Sequence, residues 1–423
     1  MDFLKGYSKE LDNRFSIHIA DNTEVDLNAI LDFNKQVHLE ENIETYIHSI
    51  MQKYPRRKDI YWIYIKDNEK DKIVSSLCLS PLEWQIESID FPVCEMEFVG
   101  TLKEYQRKGF IRILNELYEA LMLQYGYILS VIRGIPYFYR TLGYVYASSL
   151  DERITVEVSK IPKKKRKNIS IRSVNSEDIS LIKSKYSEFH NKFLIFNKFD
   201  IESFKFKYFN EEFNSEVRST YIVNEKGFPA NYFSIGKSFD NKFYEIICPE
   251  LNIKQASSVL QFIKKIGNFQ DNDTITLCVS KHTSLFRYIE SIGGNLLSEY
   301  GWQVKIPNIE KFLSCIKEVI EARLERSKFR GLSKVIGITN YQQRIELVIS
   351  EGKIEEIKKL IEDPQLGNVD LSIPGGFLYM LLLGDKSFDE INYFAKDAYV
   401  DPPSKQLIEI IFPKKPSLFE SYI

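Results

Sequence analysis

The stretch "FVGTLKEYQRKGFIRIL", Phe98 to Leu114, decides how this chain of 423 residues is read. Apolar, strand-favouring residues run as far as Thr101, a polar turn follows, and Gly109 opens a segment with apolar residues at helical spacing. Backbone N–H groups at the start of a helix have no intrahelical acceptor and attract anions. Gly109 allows close approach of a phosphate, and Arg107 and Lys108 supply positive charge. The stretch therefore predicts a strand, a phosphate-cradling loop and a helix.

Working outward, "IYWIYIKDN", "KIVSSLCLSP" and "CEMEFVGTL" read as strands. "GFIRILNELYEALMLQYG" reads as an amphipathic helix closed by Gly126, and "YILSVI" as the next strand. Strand, helix, strand in that order predicts parallel neighbours in one sheet. The basic run "KIPKKKRKN", Lys160 to Asn168, reads as a solvated linker. Beyond it the same rhythm returns. "NISIRSV" and "STYIVNEKGFPANYFSIGKS" are strands, "NIKQASSVLQFIKKIG" a helix, "TITLCVS" a strand and "LFRYIESIGGN" a helix, as an internal duplication predicts. After Pro307, Asn308 caps the helix "IEKFLSCIKEVIEARLERS". "KVIGITN" and "RIELVISEGKIEEI" read as strands, and "GGFLYMLLLG" and "SKQLIEIIF" as short apolar helices, an α+β arrangement.

Composition narrows the function classes. Apolar residues make up 44% and charged residues 27%, ordinary for a globular protein, and the net charge of −2 supports neither nucleic acid nor an anionic membrane as partner. The five cysteines (Cys78, Cys94, Cys248, Cys278 and Cys315) form no C-x-x-C pair and sit mostly in apolar runs, as buried free thiols do. The five histidines make no ligand cluster, so no metal is expected. The first residues carry acids and no long apolar core. "FLYMLLL" at Phe377–Leu383 is far short of a membrane span, so a cytoplasmic protein is expected.

A second motif, "GIPYFYRTLGYVYA" from Gly134 to Ala147, follows one strand beyond the loop. The loop Q-x-x-G-x-I is close to the Q/R-x-x-G-x-G/A pattern of GNAT N-acetyltransferases, departing from it at Ile111. With the second motif, the chain resembles the GNAT subgroup related to the enhanced-intracellular-survival (Eis) acetyltransferases. "EYGWQVKIPNIEKFLSCIKEVIEARL", "FLYMLLLGDKSFDEI" and "LIEIIFPKKPS" resemble that subgroup's junction into, and end of, a sterol-carrier-protein-like (SCP2-like) domain. The resemblance covers nearly the whole chain. It implies a mixed α/β, α+β protein: a catalytic GNAT fold at residues 1–155, a basic linker at 156–168, a second, degenerate GNAT-like fold at 169–307, and an SCP2-like domain at 308–423.

The same resemblance implies acetyl-CoA as co-substrate and a primary amine as acceptor: an aminoglycoside, polyamine, lysine or peptide. Phe98, Val99, Gly100 and Thr101 would pair with the pantetheine arm. Gln106, Arg107, Lys108, Gly109, Phe110 and Ile111 would hold the pyrophosphate, and Gly134 and Ile135 would flank the thiol. Tyr139 matches the family's general acid; with an ordinary pKa near 10 it keeps its proton until a thiolate needs it. The family's base is the C-terminal carboxylate, here that of Ile423, with Phe419 and Tyr422 as aromatic anchors for the tail. Glu97 or Glu95 is the competing base. Alternation puts both on one face of their strand, where exposure alone would account for them. Tyr137, Phe138 and Tyr144 are expected to pack or line the pocket. "NIKQASSVL" has no glycine and no basic pair, so the second fold is expected to bind no acetyl-CoA. A homo-oligomer is implied, hexameric in the better-known members. The alternative is a non-catalytic CoA-sensing or interaction scaffold.

Overall fold

The computed structural model describes residues 3–39, 43–164, 166–209, 218–237, 244–360 and 369–420. In the first half, β1 (Ser8–Glu10), β2 (Phe15–Ile19), β3 (Tyr61–Asp67), β4 (Lys72–Ile86) and β5 (Ile89–Thr101) lie side by side, each antiparallel to the next. Helices α1 (Glu24–Val37) and α2 (Ile43–Gln52) join β2 to β3. Helix α3 (Phe110–Gln124) buries Phe110, Leu114, Leu117, Tyr118 and Leu121, one face at helical spacing. It carries the chain to β6 (Leu129–Ile132), which runs parallel to β5 as the order of elements predicts.

The second half repeats that order. After β7 (Val145–Glu157) come β8 (Ile169–Ser173), α4 (Ile179–His190), β9 (Ile195–Asn197), α5 (Ile201–Phe209), β10 (Arg218–Glu225), β11 (Phe228–Lys237) and β12 (Tyr244–Ile247). Then follow α6 (Ile253–Ile266), β13 (Thr274–Val279), α7 (Ser284–Ser291) and β14 (Asn295–Lys305). β12 and β13 flank α6 in sequence and pair in parallel, as β5 and β6 do around α3. The two halves exchange their last strands. β14 pairs with β6, β7 pairs with β13, and β7 and β14 pair with each other. One fourteen-stranded sheet therefore runs through both halves, and the edge that each would expose is covered by a strand of the other.

The last region packs α8 (Ile309–Cys315) and α9 (Lys317–Glu325) beside a second sheet. The one helix expected over 309–327 is thus two, broken at Ile316. "RIELVISEGKIEEI" is likewise two strands, β16 (Arg344–Ser350) and β17 (Lys353–Leu360), after β15 (Lys334–Thr339). Glu351 and Gly352 both take positive φ (49° and 80°), the twist that lets a two-residue turn close a hairpin. Short strands β18 (Leu371–Ser372) and β19 (Tyr399–Val400) complete this sheet. Helices α10 (Phe377–Leu382), α11 (Phe388–Phe394) and α12 (Lys405–Ile411) follow or flank them, α11 being an element the pattern did not announce. The apolar core of this region is continuous with that of the first half.

After α12 the chain returns to the large sheet. Leu194 N–H donates to Pro416 O at 2.8 Å and Leu418 N–H to Ile195 O at 2.9 Å, so the tail lies along β9. Phe419 is 4% exposed and stacks on Trp84 with ring centroids 4.1 Å apart. Such a pair contributes about 0.5–1.5 kcal/mol beyond the area it buries.

Candidate active site

A cleft opens where β5 and β6 part. They pair only at Val93–Glu95 with Leu129–Val131, although β5 continues to Thr101. Two features separate them. A bulge in β5 leaves Phe98 and Val99 opposite the single residue Leu77, with Phe98 at φ 50°. β6 meanwhile turns its other edge to β14. From Met96 to Thr101 the side of β5 facing β6 has no ladder partner among the described residues. The Phe98 ring stacks on Trp62, which fixes one wall.

The loop at the far end of β5 leads straight into α3. Arg107 (φ 65°) and Gly109 (φ 82°) turn it, Gly109 is the N-cap, and no side chain caps the helix. Gln106, Arg107, Lys108 and Gly109 are exposed, and the first turn carries no acidic residue. The site is thus an open end of a 15-residue helix with two cations beside it. Phe110 and Ile111 turn their side chains into the core, so they present only backbone. The matching helix of the second half is closed instead. Asn252 accepts from the N–H groups of Lys254 and Gln255, and Gln255 Oε1 in turn accepts from the Asn252 N–H. That capping box uses the donors an anion would need.

The aromatic knot lies at the end of β6. Phe138–Leu142 form one 3-10 turn that exits at Gly143. Tyr137 is 73% exposed, which corrects the expectation that it packs or lines the pocket, whereas Phe138, at the edge of exposure, packs edge-on against Tyr139. Tyr144 is buried and hydrogen-bonded to Ser130 at 2.7 Å, and belongs to the core. Tyr139 is different. Its ring lies over Gly134, and burial pushes its pKa well up, so the hydroxyl stays protonated at neutral pH. A Cβ at position 134 would overlap Cδ2 and Cε2 of that ring. Gly134→Ala is expected to displace Tyr139 and to lower kcat about tenfold or more while the chain stays folded, read by steady-state kinetics and thermal melting.

Between cleft and knot is a cavity of about 590 Å³. Glu95 and Glu97 line it and are 1% and 7% exposed, so exposure does not account for them. Arg133, which the sequence did not single out, bridges the two: Nε donates to Glu95 at 2.8 Å and Nη2 to Glu97 at 2.9 Å. Ser80 donates to the other Glu97 oxygen at 2.9 Å. Glu95 Oε2 accepts no hydrogen bond. Burial, with the charge of Glu97, outweighs Arg133 and pushes the Glu95 carboxyl up to about 8.

The C-terminal tail forms another wall through Leu418, Phe419 and Glu420. Glu420 N–H donates to Asn197 Oδ1 at 2.8 Å, and Asn197 Nδ2 donates back to Glu420 O. The Glu420 carboxylate meets Lys207 at 3.2 Å and His190 at 3.3 Å. Tyr422 and Ile423 lie outside the described residues. The second half completes the cavity with Arg218 and Glu245, with Cys278 and Val279 of β13, and with Arg153 of the exchanged strand β7.

Residues 18–147 match the family described as Acetyltransferase (GNAT) domain, a span that contains the cleft, the loop and the knot. The chain carries a GNAT acetyltransferase domain. By that domain it is a GNAT-family acetyltransferase. No curated protein matches the chain significantly. Among solved structures, a probable N-acyltransferase from Enterococcus faecalis V583 superposes with TM-score 0.69 at 13% identity, covering 97% of this chain and 100% of that one. A GCN5-related N-acetyltransferase from Anabaena variabilis gives 0.67 at 16%, covering 96% and 99%. Eis1 from Mycobacterium abscessus gives 0.61 at 10%, covering 96% and 99%. These neighbours share the fold along its whole length. The described residues contain no group of side chains able to hold a metal ion and no helix long and apolar enough to cross a membrane.

Proposed function

We propose that the chain moves an acetyl group from acetyl-CoA directly to a primary amine. The observation that most supports this is Tyr139: a protonated hydroxyl lining the same cavity as the unpaired strand edge and two buried carboxylates. The loop Gln106–Ile111 receives the pyrophosphate on its backbone donors with Arg107 and Lys108, and the free edge Phe98–Thr101 receives the pantetheine arm. Gly134 and Ile135 flank the thiol. N–H groups at the bulge polarise the thioester carbonyl. The amine nitrogen forms the C–N bond as the C–S bond breaks; a base takes the amine proton and Tyr139 gives its own to the departing sulfur.

For the base, the Ile423 carboxylate is the first choice. The tail is anchored three residues before it, and that remainder spans at most about 10 Å. Of the strand glutamates, Glu95 is better suited than Glu97, whose two oxygens are already engaged. The test is thiol release from acetyl-CoA over an amine panel, comparing the full chain, one lacking Tyr422 and Ile423, and Glu95→Gln. Loss of most turnover on truncation, with CoA binding retained, supports the terminal carboxylate. A Glu95 base is active only when deprotonated, so kcat/KM would rise with pH through about 8, and Glu95→Gln would remove that rise. CoA binding without turnover on any amine would favour a non-catalytic, CoA-sensing scaffold.

The remaining expectations belong to the same reading. Residues 308–423 are proposed as the SCP2-like domain, the chain as a cytoplasmic homo-oligomer, and the acceptor as an aminoglycoside, polyamine, lysine or peptide.

A further inference from the structure

The register of the second half sets five positions in one lateral row. Arg218 of β10 is opposite Gly236 of β11, Gly236 opposite Glu245 of β12, Glu245 opposite Cys278 of β13, and Cys278 opposite Arg153 of β7. Cross-strand neighbours point to the same face of a sheet. The four side chains of this row all line the cavity, and the glycine between Arg218 and Glu245 contributes none. Three charged groups, Arg218, Glu245 and Arg153, thus reach the cavity that Glu97 and Tyr139 also line, the last of them from the exchanged strand.

Arg218 is the unusual member. It is 6% exposed, yet its Nε and Nη1 have no hydrogen-bond partner among the described residues. Among the described residues its one hydrogen-bonded partner is Glu245, from Nη2 at 3.3 Å, long for a charge-assisted bond, and the Glu245 side chain is 37% exposed. Most of the five guanidinium donors are therefore unanswered. A buried cation left so is costly unless something supplies the acceptors. The neighbouring charges do not. The carboxylate of Glu420 is paired with Lys207, and those of Glu95 and Glu97 with Arg133. Lys207 also lies close enough to both Arg218 and Arg133 for each to depress its pKa, beneath the larger effect of burial. The guanidinium and the acid pair line one cavity.

We propose that the acceptor amine also carries a carboxylate, and that Arg218 binds it while the amine is presented to the acyl site. This rests on the acyl-transfer reading and narrows its acceptor: amino acids and peptides with a free C-terminus fit, whereas polyamines and aminoglycosides leave Arg218 unanswered. A planar carboxylate suits the guanidinium fork. With Arg153 in the row, the two arginines and Glu245 leave one net positive charge, which one carboxylate neutralises.

The test uses amine pairs that differ only in the carboxylate: L-lysine and cadaverine, L-phenylalanine and phenethylamine, and a Lys-Gly dipeptide and its amide. In the full chain the carboxylate-bearing member is expected to have the higher kcat/KM by about 10- to 100-fold. The difference should sit mainly in KM. Arg218→Gln should bring the ratio close to one and Arg218→Lys should restore part of it, whereas Glu245→Gln should raise it. A loss of fold would lower both members of a pair equally and leave the ratio intact. A second arm reads binding without turnover: calorimetry of N-acetyl-lysine against N-acetylcadaverine on the CoA-loaded protein, with and without Arg218→Gln. Preferential binding lost in Arg218→Gln, with no amine acetylated, would keep the carboxylate site and remove the acyl-transfer reading. Acetylation of both members at equal kcat/KM, or a preference that survives Arg218→Gln, overturns the carboxylate site alone. Neither turnover nor preferential binding overturns both.

Discussion

Replacing Tyr139 by phenylalanine is expected to lower kcat roughly 10²- to 10⁴-fold, the range that a positioned general acid contributes, with little change in CoA affinity or melting temperature. The structural reason for expecting such a clean separation is that the hydroxyl makes no hydrogen bond among the described residues, while the ring packs on Gly134 and edge-on to Phe138 and Tyr144. Phenylalanine preserves the ring and leaves no buried partner behind. Tyr144→Phe is the control. That hydroxyl is bonded to Ser130, so its loss should cost about 1 kcal/mol of stability and little turnover. Burial is also why Tyr139 holds its proton throughout the neutral range, so no acid limb from this group is expected there. Rapid single turnover with Tyr139→Phe as fast as the full chain would remove it from the reaction.

Removing the charge of Glu420 is the other large effect. Lys207 is 1% exposed, and the carboxylate of Glu420 is its ion-pair partner in the wall of the cavity. Breaking a buried pair from one side costs about 3–5 kcal/mol, because a charge is left without compensation. That cost falls on docking of the tail, so Glu420→Gln should expose the C-terminal strap to proteolysis and amide exchange before it unfolds the sheet. Turnover should fall with it, since Phe419 and the residues beyond are released together. The double variant Lys207→Met with Glu420→Gln, which removes both charges, should regain much of the docking. Burial alone pushes the Glu420 carboxyl upward, but Lys207 and His190 more than offset this and hold it at about 2. Its stabilising contribution is therefore fully present above the ordinary carboxyl range and lost only as pH falls through about 2. Undocking of the tail between pH 5 and 7 would contradict that assignment.

Much of the first half was legible because the signals are local. A strand that stops at Thr101, a glycine at 109 and an amphipathic face from Phe110 onward are properties of adjacent residues, and they specify β5, the loop and α3 without any distant contact. The knot was legible in the same way, with Gly143 at its exit. Burial was not. Alternation places Glu95 and Glu97 on one face but does not say what that face meets: a cavity with one wall from a tail more than 300 residues away. Arg133 carries no motif of its own and becomes meaningful only as the bridge between two carboxylates.

The exchange of β7 and β14 lay beyond any local pattern. Either strand satisfies its own half equally well on paper, and their pairing depends on hydrogen-bond partners about 150 residues apart. It also decides the site, since it brings Arg153, Arg218 and Glu245 to the cavity that the first half opens. What the order of residues determined by itself is the donor side: a phosphate-ready helix end, a strand edge and a tyrosine in a turn, each set by short-range periodicity and backbone sterics. What the tertiary structure alone decided is the acceptor side. Charges drawn from both halves and from the tail share one chamber there, because the strands that carry them pair across the whole length of the chain.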